Sequence, residues 1–280
     1  MKVRNLVAAV VTSIGLAAAA PASAVVVGGI DFGPLGNTAH IETATLAETF
    51  VNGVGQQLQG YGLVTTVNQD TSYCAGGGSC VLYYHFHNYT VQTFSPTAVT
   101  FTGGVVDVYY AAAPGPNLFS QNSAANVAFI TGLQLWASFT GHSFFDPLNP
   151  IPPTQTLRAD GTLTGATLTS TGSGQLDVTL GVGFAGVADY LNGNSIGDNL
   201  GGFADAVATT SGNNFVLNPF DVSSGLATGC STGQAAPGAW CLQGTLDTRG
   251  ATRLVPEPSP LALLGLGIIA MAWVRRRTTH

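Results

Sequence analysis

The segment GQLDVTLGVGFAG, residues 174–186, alternates apolar residues with polar or small ones. Leu176, Val178, Leu180, Val182 and Phe184 share one parity, and Asp177, Thr179, Gly181 and Gly183 share the other. Side chains along a strand point to opposite faces in turn, so the pattern predicts a strand with one buried and one wet face. The same reading extends to NVAFITGLQLWASFTG (126–141), through Val127, Phe129, Leu133, Leu135 and Phe139.

In AVTFTGGVVDVYY (98–110) the apolar parity switches, from Val99 and Phe101 to Val106, Val108 and Tyr110. Gly103-Gly104 sits at the switch, where a β-bulge would absorb it. VLYYHFHNYTV (81–91) places Leu82, Tyr84 and Phe86 on one side. LQGYGLVTTVN (58–68), ATLTSTG (166–172) and FVLNPFDV (215–222) are weaker strand candidates. HIETATLAETFVNGV (40–54) reads as helix or strand, and its Thr and Val content makes strand at least as good. Gly, Pro and Asn clusters such as AAPGPN (112–117) and DPLNPIPP (146–153) punctuate the segments. These features predict an all-β body: a single, jelly-roll-like β-sandwich.

The chain has 280 residues, 37 of them Gly, with no collagen-like period and no repeat of solenoid length. Residues 25–255 contain no Lys and only Arg158, Arg249 and Arg253, against thirteen Asp and Glu, a net charge near −10. Phosphate backbones are held by clustered cations, so the body is not a nucleic-acid binder. A sparsely charged surface rich in Thr, Ser, Asn, Gln and Gly suits a neutral, hydrated matrix.

Four cysteines fall into two local pairs, Cys74 with Cys80 and Cys230 with Cys241. Four cysteines allow three connectivities; proximity favours two short-loop disulfides in an exported protein over zinc, because paired short knuckles are absent.

Several patterns have chemical readings. Gly193-Asn194-Ser195-Ile196-Gly197 matches GxSxG, but the only later histidine is His280. Gly181–Gly186 matches GxGxxG, yet period-two alternation runs through it and no βαβ unit surrounds it. On a strand, His85 and His87 would project from one face about 7 Å apart, the spacing of an HxH metal pair. A third ligand would come from His142, His40 or Asp107; the competing reading is a wet strand face. Asn192, Asn194, Asp198 and Asn199 offer oxygens to calcium but lack the spacing of a dedicated loop. Asp107, Asp146 and Asp160 are carboxylates available for glycosidase-like chemistry. Tyr83, Tyr84, Tyr109, Tyr110 and Trp136 would serve equally as a saccharide-stacking surface or as core. Asn88-Tyr89-Thr90 is a glycosylation sequon that a bacterial exported protein does not ordinarily use.

The two ends read differently from the body. Met1-Lys2-Val3-Arg4, an apolar run from Leu6 to Ala20, and Ala22-Ser23-Ala24 fit a signal peptide cleaved before Val25. At the other end, Val255-Pro256-Glu257-Pro258 precedes the uncharged run Leu261–Val274 and then Arg275-Arg276-Arg277. Fourteen residues of helix span about 21 Å, short of a bilayer core of about 30 Å, which suits a temporary anchor. The arginines fit a stop-transfer signal.

This tail resembles the PEP-CTERM sorting signal. The resemblance implies recognition by exosortase, a membrane-embedded cysteine protease and transpeptidase of Gram-negative bacteria that make extracellular polysaccharide. It implies processing at Pro256-Glu257-Pro258 after transient inner-membrane anchoring. A looser similarity, carried by GYGLVTTVN, LYYHFHNYTV, FTGGVVDVYY and GTLDTRGATRLVPEP, is to the flocculation-associated PEP-CTERM proteins. That group implies no catalytic residues.

The expected organisation is therefore a signal peptide (1–24), a β-rich extracellular domain (25–254) and a sorting signal with a short transmembrane helix (255–280). The expected function is that of a non-enzymatic structural or adhesive protein without a cofactor, unless His85 and His87 hold a metal ion. It is secreted to the surface or matrix and supports flocculation or biofilm formation with exopolysaccharide. Its partners are the export machinery, exosortase and polysaccharide. The alternative is a carbohydrate-binding or carbohydrate-active protein exported by the same route.

Overall fold

The computed structural model describes residues 24–34, 38–147, 154–215 and 227–253. The expected signal-peptide residue Ala22, Pro256-Glu257-Pro258, the expected transmembrane run and Arg275–Arg277 lie outside the described residues. Among the described residues no helix is long and apolar enough to cross a membrane.

The strands are β1 (Ala24–Val27), β2 (Ile30–Pro34), β3 (Ala39–Thr49), β4 (Gln57–Val67), β5 (Val81–Phe94), β6 (Ala98–Ala111), β7 (Gln134–His142), β8 (Leu157–Thr162), β9 (Thr169–Val178), β10 (Ile196–Gly197), β11 (Phe203–Ala204), β12 (Ala206–Asn213) and β13 (Trp240–Gly250). Among the described residues two α-helices, α1 (Ser123–Thr131) and α2 (Val187–Leu191), interrupt them. The expected sandwich is not what forms. The ring β12-β13-β3-β4-β5-β6-β7-β9 closes on itself through β9–β12 pairing, making an eight-stranded antiparallel barrel.

Closure uses one slot twice. β7 pairs with Val105–Tyr110 of β6 and with Gln175–Val178 of β9. β8 pairs with Ala98–Phe101 of β6 and with Thr169–Gly174 of β9, so the two strands lie end to end in one position of the wall. Thr156 bridges the junction: its N–H donates to Phe101 O (2.8 Å) and its Oγ1 to Gly103 O (2.7 Å). Register shifts in the β13–β3, β3–β4, β4–β5 and β6–β7 ladders supply the local twist that a coiled sheet needs to close. A period-two pattern is the same for a sheet facing a second sheet and for a sheet curled round its own interior; this is why it suggested the wrong architecture.

The parity switch in β6 is real, but no bulge makes it. β5 and β6 keep one register from Phe86↔Val106 to Val91↔Phe101. Asn88 on β5 (φ 60°) and Gly103 and Gly104 on β6 (φ 73° and 93°) take left-handed backbone together. Both strands thereby turn their faces over at one point, so Phe86 and Val106 before it and Tyr89 and Phe101 beyond it all enter the same core.

One end of the barrel is plugged. The β1–β2 hairpin and α2 bring Ile30, Phe32, Val187 and Tyr190 onto Trp136, which is fully buried. The Trp136 indole N–H donates to Gly28 O (3.0 Å), and a side chain at Gly28 would strike that indole. Outside the wall, α1 packs Ile130 and Phe129 over Tyr61 and Tyr83. Residues 126–131 were expected to be strand. They are helical because the Asn122 side chain caps the Ala125 N–H (2.9 Å) and the buried positions Ser123, Asn126 and Ile130 follow a helical spacing. The strand at 174–186 also stops early: β9 ends at Val178, Leu180 is exposed, and Gly181, Gly183 and Gly186 turn the chain into α2.

Disulfides join Cys74 to Cys80 and Cys230 to Cys241. Closing loops this short stabilises the fold by about 2–3 kcal/mol each. We expect Trp136→Ala to cost about 3–5 kcal/mol in urea unfolding, whereas Leu180→Ala should change stability by less than about 0.5 kcal/mol. Equal effects would show that the plug is not part of the core.

Candidate functional site

The half of the barrel opposite the plug is not filled by the described residues. A cavity of about 80 Å³ remains there, lined mainly by apolar side chains including Phe86, Phe101, Leu157 and Leu246. Into it β3 sends Glu48, from the same parity as the fully buried Leu46. Room for the carboxyl exists because β12 and β13 carry Gly212 and Gly244 beside it; a Cβ on Gly212 would lie 2.9 Å from Oε2, and one on Gly244 would overlap Oε1.

Glu48 Oε1 accepts a hydrogen bond from Thr210 Oγ1 (3.3 Å), and Oε2 has no partner among the described residues. Burial pushes the Glu48 carboxyl up to about 8, with the Thr210 hydroxyl only partly opposing it. Near neutral pH the group is therefore mainly an uncharged acid, able to donate one hydrogen bond and accept others. The other polar residues in the lining are Thr169, Ser170, Thr210, Asn213 and the phenol-bearing Tyr89.

The histidines lie elsewhere. His85 and His87 share a face of β5 as expected, with ring centroids stacked 4.8 Å apart. His87 Nε2 meets Asp107 Oδ2 (3.2 Å), and this bond holds the His87 pKa above its ordinary value. His85 is only 8% exposed, and neither ring nitrogen has a hydrogen-bond partner. Burial, reinforced by His87, pulls its pKa down to about 4. Of the expected third ligands, Asp107 is the one that meets His87, whereas His142 bonds Asp177 Oδ2 through Nδ1 (2.7 Å) and Asp198 Oδ2 through Nε2 (3.2 Å).

Among the described residues, three metal-ligating side chains converge at His40, Glu42 and Asp247. His40 Nε2 is 2.5 Å from Asp247 Oδ1 and 3.1 Å from Glu42 Oε1. Arg249 Nε lies 3.0 Å from the same nitrogen, so the guanidinium shares the cluster with the two carboxylates. The arrangement is a cross-strand charge network on β3 and β13. Sequence reasoning considered His40 but missed Glu42 and Asp247, because only the strand register places them opposite each other.

Other motifs dissolve into local structure. Ser195 lies in the turn before β10, where its N–H donates to Ala204 O (3.1 Å). Gly181–Gly186 does lead from a strand into a helix, contrary to the expected unbroken alternation. That helix has five residues, and β9 pairs only with antiparallel neighbours. Asp198 Oδ1 accepts from the N–H groups of Leu200 (2.7 Å) and Gly202 (2.8 Å), while Asn194 bonds Asn192, so this loop binds itself. Asp160 pairs with Arg158 (2.5 Å). Tyr83, Tyr84 and Trp136 are buried, and Tyr109 and Tyr110 are half-buried.

Residues 254–277 match the PEP-CTERM protein-sorting motif. No curated protein matches the chain, and no solved structure does.

Glu48 has a pH signature. Its folded-state pKa is above the ordinary carboxylate value of 4.5, so the stability it contributes is complete below that value. It is lost as pH rises through about 8. The slope is on the order of 1 kcal/mol per pH unit within this window. His87 and His142 are also held above their ordinary values, so the variant comparison isolates the carboxyl. Between pH 5 and 8, Glu48→Gln should lose less thermal stability than the parent protein; parallel curves would show that Glu48 does not titrate in a buried site.

Proposed function

Because the chain carries a PEP-CTERM sorting motif, which marks an exosortase-targeted extracellular protein, we propose that it serves as a structural or adhesive protein of the cell surface or matrix. In this reading it supports flocculation or biofilm formation alongside exopolysaccharide and is not an enzyme. The observation that carries the proposal is the attachment of the sorting motif to a body built for durability. The barrel's ring of ladders is closed and two disulfides staple its loops, features suited to an oxidising exterior. A body with thirteen carboxylates and three arginines has little means of holding polyanions. Neutral, hydroxyl-rich contacts with a hydrated polymer are what such a surface offers.

The carbohydrate-stacking alternative loses its main support. Tyr83, Tyr84 and Trp136, three of its five aromatics, are buried in the wall and core.

The test is the intact mass and terminal peptides of the native protein, compared with those from an exosortase-deficient strain. We expect a mature form beginning near Val25 and ending near Pro256, with uncut protein accumulating in the deficient strain. Extra mass on the mature form would indicate glycan attachment. A secreted form ending in His280 would overturn the processing step. For the adhesive role, deletion of the protein should reduce flocculation while secreted polysaccharide stays at its normal amount; unchanged flocculation would refute it.

A further inference from the structure

We propose that the unfilled half of the barrel is a binding site for a small, uncharged, apolar molecule carrying one hydrogen-bond-accepting oxygen, such as a medium-chain ketone or ester, with Glu48 as its polar anchor. This inference is independent of the sorting and adhesion reading.

Three observations carry it. The first is the cavity itself: about 80 Å³ between mainly apolar walls at the end away from the plug. A water needs roughly 10–15 Å³ on this measure, so the space suits on the order of half a dozen to eight heavy atoms. Small eight-stranded barrels have interiors of this scale, filled either by side chains or by one small ligand. The second is the placement of a carboxyl where apolar packing would be the default. Glu48 is buried, and among the described residues its carboxyl has Thr210 as its single hydrogen-bonding partner and Oε2 has none. Burying such a group without a second partner is costly, and a ligand oxygen would supply one. The third is the pair of glycines, Gly212 and Gly244, that keep the carboxyl's place open.

The lining also states what the ligand is not. Among the described residues no Lys, Arg or His lines the cavity, so a carboxylate or phosphate headgroup has no counter-charge there. An amine would require Glu48 to ionise in apolar surroundings, against the effect of its burial. Tyr89 is the other titratable side chain in the lining, and burial pushes its phenol up, leaving it uncharged. An uncharged acceptor oxygen matches a protonated carboxyl without any change of charge.

The test uses the purified, disulfide-bonded protein and isothermal titration with 2-heptanone, n-heptane, heptanoate and heptylamine. We expect 2-heptanone to bind with a Kd on the order of 0.1 mM, given the attainable free energy per ligand atom. Heptanoate should bind at least tenfold more weakly. Glu48→Gln keeps an N–H donor and should retain the ketone within a few-fold. Glu48→Leu should abolish the preference for ketone over heptane. Ketone affinity should fall as pH passes about 8 in the parent but not in Glu48→Gln. Ala208→Leu, which adds bulk to the lining, should reduce binding of both ketone and heptane, with near-ultraviolet circular dichroism confirming the fold. The proposal is overturned by no binding of ketone, by heptanoate or heptylamine binding as well as ketone, or by ketone binding that survives Ala208→Leu in a folded protein.

Discussion

The pairing of β9 with β12 runs from Leu176↔Ala206 to Thr169↔Asn213, and most other features of the body depend on it. Before those backbone groups pair, the sheet has two free edges and an apolar face with nowhere to go. After they pair, both edges are consumed and the apolar face becomes an interior of limited bore. An eight-stranded ring is wide enough that side chains from its own wall fill it only with help. At one end the help comes from the β1–β2 hairpin and α2 around Trp136. At the other end none of the described residues forms a comparable plug, and a cavity with a buried acid is left.

The inversion at Asn88, Gly103 and Gly104 follows from the same constraint. Long neighbouring strands in a tightly coiled wall must change their twist somewhere along their length. Left-handed residues on both partners let β5 and β6 turn over together while every cross-strand pair around them is kept. Asn tolerates that backbone better than other residues with a side chain, and Gly adopts it freely. An added Cβ at Gly104 would also collide with the Tyr89 ring, so the inversion and the packing of the cavity wall rest on the same position.

How much of this could be read in advance depended on whether the signal was contiguous. The strand at Leu176–Val178, the parity switch in β6 and the shared face of His85 and His87 are local properties of backbone alternation, and they are present in the structure. The sorting tail was legible for the same reason, since its three parts follow one another directly. Barrel closure was not legible, because it joins residues such as Ala206 and Leu176 whose partnership leaves no mark in either segment. The helix at 123–131 was hidden by an accidental alternation of Val127 and Phe129, while the more telling cue was Asn122 before Ser-Ala-Ala. Glu48 had a usable signal: with 40–54 taken as strand, it falls in step with Leu46, and a carboxylate on an apolar face is the mark of a special site.

The chain leaves the barrel in a way that orients it. β13 ends at Gly250 on the plugged end, and the Arg253 N–H still donates to Tyr190 O of α2 (2.9 Å). The sorting motif begins at residue 254, the next residue in the sequence. The described chain thus ends at the plug, and the cavity lies at the opposite end of the barrel.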